Sequence, residues 1–189
     1  MIKVENVIKK FNDFTAIDNL NLEISEGEIF GLLGENGAGK TTTLRILATM
    51  LKPTQGKATV CGYDTVKDDA KVRENIGILF GGETGLYDRL TARENIEYFG
   101  ELYDMSKDEL KKEIEKVAEA LSMKEYIDKR VGTFSKGMKQ KVAFARSIIH
   151  NPKVLLLDEP TSGLDVTAAV EVHNFIKECK KIKDSTRKN

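Results

Sequence analysis

Apolar and polar positions change period several times along the chain, and each change marks an element. Residues 2–8 and 20–25 alternate in part, the period of two that belongs to half-buried strands, and they predict an antiparallel, hairpin-like pair. Residues 28–33, 57–61 and 76–80 are short apolar runs and read as further strands. Leu44, Leu47, Ala48 and Leu51 fall at helical spacing, so a helix is expected from about Gly39 to Leu51, with Pro53 beyond its end. Residues 92–104 and 107–122 carry charged helical patterning; in the second, Leu110, Ile114, Val117, Ala118 and Leu121 make one apolar face. Residues 136–150 form another helix, with Met138, Val142, Ala145 and Ile149 on one side. The continuous apolar run 153–158 is the mark of a strand buried on both faces of a parallel sheet. A last helix is read over about 167–180, and residues 180–189 are polar and patternless. Strands alternating with helices predict an α/β fold.

One stretch fits neither period. Gly34-Glu35-Asn36-Gly37-Ala38-Gly39-Lys40-Thr41, followed by Thr42, stands where a strand is expected to end and a helix to begin. It fits G-x-x-x-x-G-K-[ST] in full. Glycines let successive N–H groups turn inward onto phosphate oxygens, and the helix start adds its own free N–H groups and positive dipole end. Lys40 can reach the β- and γ-phosphates, and the Thr41 hydroxyl can ligate Mg²⁺. The pattern in this context predicts binding of a nucleoside triphosphate.

Composition narrows the picture only at its edges. In 189 residues, 30 basic side chains balance 30 acidic ones, so net charge gives no argument for nucleic acid. Cys61 and Cys179 match no metal spacing and read as reduced thiols. The N-terminal residues are too polar for a signal peptide, and no apolar run reaches the roughly 18–20 residues of a membrane helix. Any work at a membrane therefore requires a partner that brings the chain there.

A second candidate follows the last apolar strand, Val154-Leu155-Leu156-Leu157-Asp158-Glu159-Pro160. Ligands of parallel sheets sit at the carboxyl ends of the strands. Asp158 is placed to face the Mg²⁺, through water, and Glu159 to polarise an attacking water.

The stretch Phe134 to Asp165, FSKGMKQKVAFARSIIHNPKVLLLDEPTSGLD, resembles the ATP-binding subunit of an ABC transporter. Phe134-Ser135-Lys136-Gly137-Met138 is a variant of that family's LSGGQ signature: Ser135 and Gly137 match, whereas Lys136 and Met138 replace a glycine and a glutamine. The signature, the Asp158-Glu159 pair and Ser162-Gly163-Leu164-Asp165 keep the family's order and spacing. The resemblance covers residues 1 to about 180 and implies a P-loop NTPase of the ABC type. It implies a mostly parallel core sheet, an N-terminal antiparallel β subdomain and a helical insertion at about 84–135, in one domain. It also implies that Phe11 stacks on adenine and that ATP·Mg²⁺ is held by the phosphate loop. Ser135, Gly137 and Asp165 would complete the nucleotide site of a second subunit in a head-to-tail dimer. Read without the comparison, Ser135 is a helix N-cap. Residues 76–105, with 134–147, are similar to the ATPase of bacterial sodium exporters of the NatA type, which pair with an ABC-2-type membrane permease. The implied place is the inner face of the cell membrane, peripheral, through that permease. The family's glutamine after the strand at 76–80 is absent; Gly81-Gly82-Glu83 stands there, and Glu83, whose carboxylate can ligate Mg²⁺, is the candidate substitute for it.

The resemblance also sets an expectation that the sequence does not meet. The family continues with another core strand and a histidine on the γ-phosphate. His150 and His173 match neither position and are expected at the surface. The chain is accordingly read as a truncated subunit that binds ATP but turns it over poorly. Two rivals remain: an ABC-type ATPase acting on nucleic acid or ribosomes, and a binding module without turnover.

Overall fold

The computed structural model describes residues 1–80, 85–161, 164, 166–167, 169–170, 172–174 and 176–177. The chain divides into two compact units, Met1–Ile78 and Leu79–Asn189.

The first unit is built on β1 (Ile2–Phe11), β2 (Phe14–Ile24), β3 (Gln55–Val60) and β4 (Tyr63–Asp64), in the order β2-β1-β3-β4, all antiparallel. The expected hairpin is present and longer than its alternation shows. The alternation breaks at Asn6, whose φ is 49° and where the register with both neighbours shifts. Buried positions therefore run Ile2, Val4 and then Val7, a step of three that a bulge permits. Gly56 of β3 lies against this bulge with φ 82°; a Cβ there would stand 2.3 Å from the Asn6 carbonyl oxygen, so only glycine fits. Helix α1 (Lys40–Leu47) and helix α2 (Asp69–Asn75), which the hydrophobic pattern does not reveal, complete this unit. Ile46, Leu47, Ala58, Val60 and Val72 close its core.

Helix α1 stops earlier than its apolar spacing predicts. Thr49 has φ 62°, a left-handed turn that ends the helix, and the N–H groups of Met50 and Leu51 fold back onto the Arg45 carbonyl. A larger correction concerns residues 28–33. They make no ladder among the described residues, and Ile29, Phe30 and Leu33 are 57%, 44% and 94% exposed. An apolar run supplies strand propensity, but a strand exists only where a neighbour takes its hydrogen bonds.

The second unit is helical around a single core. It contains α3 (Ala92–Glu101), α4 (Lys107–Ala120) and α5 (Lys136–Ile148), with helical backbone again at described positions between 166 and 177. Thr91 and Ser106 each open their helix with a reciprocal capping box, to Glu94 and Glu109. Such a cap contributes about 1 kcal/mol. The predicted face of α4 is buried as expected, against Ile96, Met123, Val131 and Phe144. Arg93 fastens the rim, its guanidinium 2.7 Å from Asp128 and 3.0 Å from Glu115. The hydrogen bond from Arg93 holds the Asp128 carboxyl below the usual carboxylate range. Strands β5 (Ile76–Leu79) and β6 (Val154–Leu157) are the remaining strands among the described residues. The Leu79 carbonyl accepts from Asp158 N at 2.8 Å. Residues 178–189, on which the expectation of a missing strand falls, lie outside the described residues.

Candidate functional site

In the first unit the phosphate-loop residues Gly34, Glu35, Asn36, Gly37, Ala38 and Gly39 lead directly into α1, which begins at Lys40 and continues through Thr41 and Thr42. Gly39 is the N-cap residue, in left-handed conformation with φ 83°. It supplies no side chain to its helix, and the first turn holds no acidic residue. The positive end of the helix is thus neither capped by a side chain nor neutralised by a carboxylate of its own first turn. That arrangement suits an anion. One turn into the helix, the Thr43 hydroxyl returns a 2.9 Å bond to the Gly39 carbonyl and fixes the corner. Lys40 curls back over the loop, its Nζ 2.6 Å from the Gly34 carbonyl oxygen and 2.7 Å from that of Glu35. The ammonium therefore already lies against the backbone of the loop. A phosphate would exchange these two neutral acceptors for charged ones, which bind about twice as strongly. Hydroxyl of Thr41 and carboxylate of Asp158 are both hard oxygen donors, the type that Mg²⁺ takes.

Gly39 cannot be replaced without cost. A Cβ at this residue would stand 2.5 Å from the Ala16 carbonyl oxygen of β2, in a backbone conformation that side chains disfavour. Gly39→Ala is expected to lower stability by about 1–3 kcal/mol and to weaken ATP binding with it. Urea unfolding with and without ATP·Mg²⁺ checks this, and a wild-type midpoint in both conditions contradicts it.

Phe11 ends β1 opposite Phe14, beside the Asn12-Asp13 turn. Its ring is 44% exposed, with Lys9 Nζ 4.8 Å from the centroid. An exposed aromatic face with a cation nearby suits a planar base.

The other expected residues lie in the second unit. Asp158 and Glu159 follow β6 directly; Asp158 is half-buried and Glu159 exposed. Glu159 has φ 47°, a strained conformation for a residue that precedes proline. Ser135 is the N-cap of α5, as its position in the sequence implies, and its Oγ accepts from Met138 N at 3.2 Å. Gly137 sits half-buried in the first turn of the same helix, which carries no acidic residue there. Among the described residues, then, each unit has one helix of eight residues or more whose first turn carries no acidic residue, α1 without a side-chain cap and α5 capped by Ser135. Asp165, Ser162, Gly163, Cys179 and the Gly81-Gly82-Glu83 stretch lie outside the described residues.

Two neighbours of these positions escape a reading of the sequence. Gln140, on α5, is buried, and its Nε2 donates to the Pro160 carbonyl at 2.9 Å. Its signal is the spacing of Gln140, Phe144 and Ser147, a second buried face beside the predicted one. Arg146 donates to the Gly85 carbonyl at 2.8 Å with its guanidinium 4.2 Å from the Phe99 ring centre. Burial pulls that guanidinium below its ordinary pKa. His173 is exposed as expected, whereas His150 is half-buried and stacks flat on Tyr103 at 3.7 Å, because that ring covers it.

Residues 17–162 match the ABC transporter family. The ABC transporter ATP-binding protein NatA of Bacillus subtilis is 50% identical over 185 residues, which are 96% of this chain and 75% of that protein. The bacitracin transport ATP-binding protein BcrA of Bacillus licheniformis is 38% identical over 176 residues, 93% of this chain and 56% of its own length. Among solved structures, the ATP-binding cassette MJ0796, captured as a dimer after hydrolysis with ADP and Pi, superposes with a TM-score of 0.84 at 31% identity. It covers 97% of this chain and 84% of that one.

Proposed function

The chain belongs to the ABC transporter family, and on that premise we propose that it binds and hydrolyses ATP to drive a membrane permease. The single observation that carries this reading is the phosphate loop running into α1 with Lys40 turned over it. The Ser135-capped start of α5 supports it, since a chain with one phosphate loop needs a second anion site only for a nucleotide held elsewhere.

In this reading the loop N–H groups from Gly34 to Thr42 and the Lys40 ammonium hold the triphosphate, and Phe11 stacks on the adenine. Thr41 and, through water, Asp158 would hold Mg²⁺, which would supply positive charge to neutralise the phosphates. Glu159 orients the attacking water and accepts its proton. Ser135, Gly137 and Asp165 complete the nucleotide site of a second copy arranged head to tail. Residues 1–189 act as one ATP-binding domain, with a helical subdomain at about 84–135. Closure of the dimer on ATP and reopening after hydrolysis is the stroke delivered to the permease.

No helix among the described residues is long and apolar enough to cross a membrane. The proposed place is therefore the inner membrane face, through an ABC-2-type permease. Sodium is the proposed cargo, on the resemblance of residues 76–105 and 134–147 to sodium-exporter ATPases. Co-expression with an ABC-2-type permease, followed by reconstitution in sodium-loaded vesicles, tests this. The expected result is a stable complex and sodium movement that requires ATP·Mg²⁺. A complex that moves another solute but not sodium overturns the cargo alone. RNA in place of the permease overturns the transport reading.

A further inference from the structure

We propose that Gln140 is a positioning residue for Glu159: its side-chain amide fixes the backbone on which the hydrolytic carboxylate stands. The proposal rests on the reading of Glu159 given above. Glu159 holds a left-handed conformation, φ 47°, that its own side chain disfavours and the following proline disfavours further. Such a residue keeps its conformation only where its flanks are held. Both flanks are held here. On one side, Asp158 N–H donates to the Leu79 carbonyl at 2.8 Å. On the other, the Pro160 carbonyl accepts from Gln140 Nε2 at 2.9 Å.

The second bond has no substitute within residue 160. Proline has no N–H, so its carbonyl is that residue's one backbone polar group. The acceptor is a carbonyl, so the amide must present its nitrogen, and the bond fixes which way the Gln140 amide is turned. Gln140 is itself 8% exposed and stands on the same helix that Ser135 caps, among Val142, Ala143 and Phe144, which are fully buried. A donor so placed does not wander. Loss of it leaves a half-buried carbonyl unpaired and frees the chain just past Glu159.

The test uses the whole chain, with Gln140→Met, which keeps length without a donor, and Gln140→Glu, which keeps shape and offers an acceptor when ionised. Single-turnover hydrolysis of labelled ATP gives the rate constant, a fluorescent ATP analogue gives affinity, and the ¹³C resonance of the Pro160 carbonyl reports the hydrogen bond. The expected result is a rate constant about 100-fold lower, unchanged affinity for ATP, and a shifted Pro160 resonance in the variants. Should Gln140→Met not fold, Gln140→Glu carries the test alone. An unchanged rate constant, a loss confined to ATP affinity, or an unshifted Pro160 resonance overturns the proposal. Failure of the underlying reading is distinguishable: Glu159→Gln would then hydrolyse ATP at the wild-type rate, while the Pro160 resonance would still respond to Gln140.

Discussion

Lys40→Ala is expected to weaken ATP binding by roughly 30- to 100-fold, or about 2–3 kcal/mol. Nothing in the rest of the loop replaces what is lost. Gly34, Gly37, Ala38 and Gly39 bring only backbone groups, and the hydroxyls of Thr41 and Thr42 carry no charge. The Lys40 ammonium bonds to the Gly34 and Glu35 carbonyls at 2.6 and 2.7 Å, which holds it against the loop backbone. Truncation removes this cation and leaves the glycine-capped helix start in place, so binding weakens without the loop being dismantled. Titration with a fluorescent ATP analogue checks the prediction. Equal affinity in wild type and variant contradicts the assignment of the loop.

Glu159→Gln is expected to slow hydrolysis by about 10²- to 10⁴-fold while ATP binding persists. The amide keeps the length and shape of the carboxylate but cannot accept the proton of an attacking water. The backbone is not a confounding factor, because glutamine and glutamate meet the same strain at φ 47°. The loop proposed to hold the phosphates lies more than a hundred positions upstream and is untouched by the change. Phosphate release under single-turnover conditions, beside the same titration, separates the two steps. A wild-type rate constant shows that Glu159 is not the base.

How much of this was legible depended on how local each feature is. The phosphate loop is written in eight consecutive residues, and both its chemistry and the helix start that follows it can be read from them. Ser135 is equally local: a hydroxyl just before a helical pattern caps it, and it does. The helices of the second unit carried apolar stripes that match their buried faces, with capping boxes at Thr91 and Ser106 to mark two starts. What escaped was set by partners distant in sequence. Gln140 meets Pro160 twenty positions later, and the spacing that signals its burial does not name that partner. Residues 28–33 have the composition of a strand, yet pairing is not a property of six residues. Asn6 shifts the register of β1 through a backbone bulge, which a count of alternating positions misses. Leu51 fits the helical spacing of α1, but Thr49 turns the chain two residues before it. His150 passes for a surface residue until Tyr103 is seen lying on its ring.

In the proposed function two copies share their nucleotides, each phosphate loop facing the other copy's Ser135. The most direct test is the mass of the Glu159→Gln protein in solution, by light scattering, with and without ATP·Mg²⁺. Slow hydrolysis keeps ATP in place, so the mass is predicted to double with ATP·Mg²⁺ and to fall back to that of the single chain when Ser135→Ala is added. A protein that binds ATP yet keeps the mass of one chain, or a dimer indifferent to ATP and to Ser135, contradicts the claim.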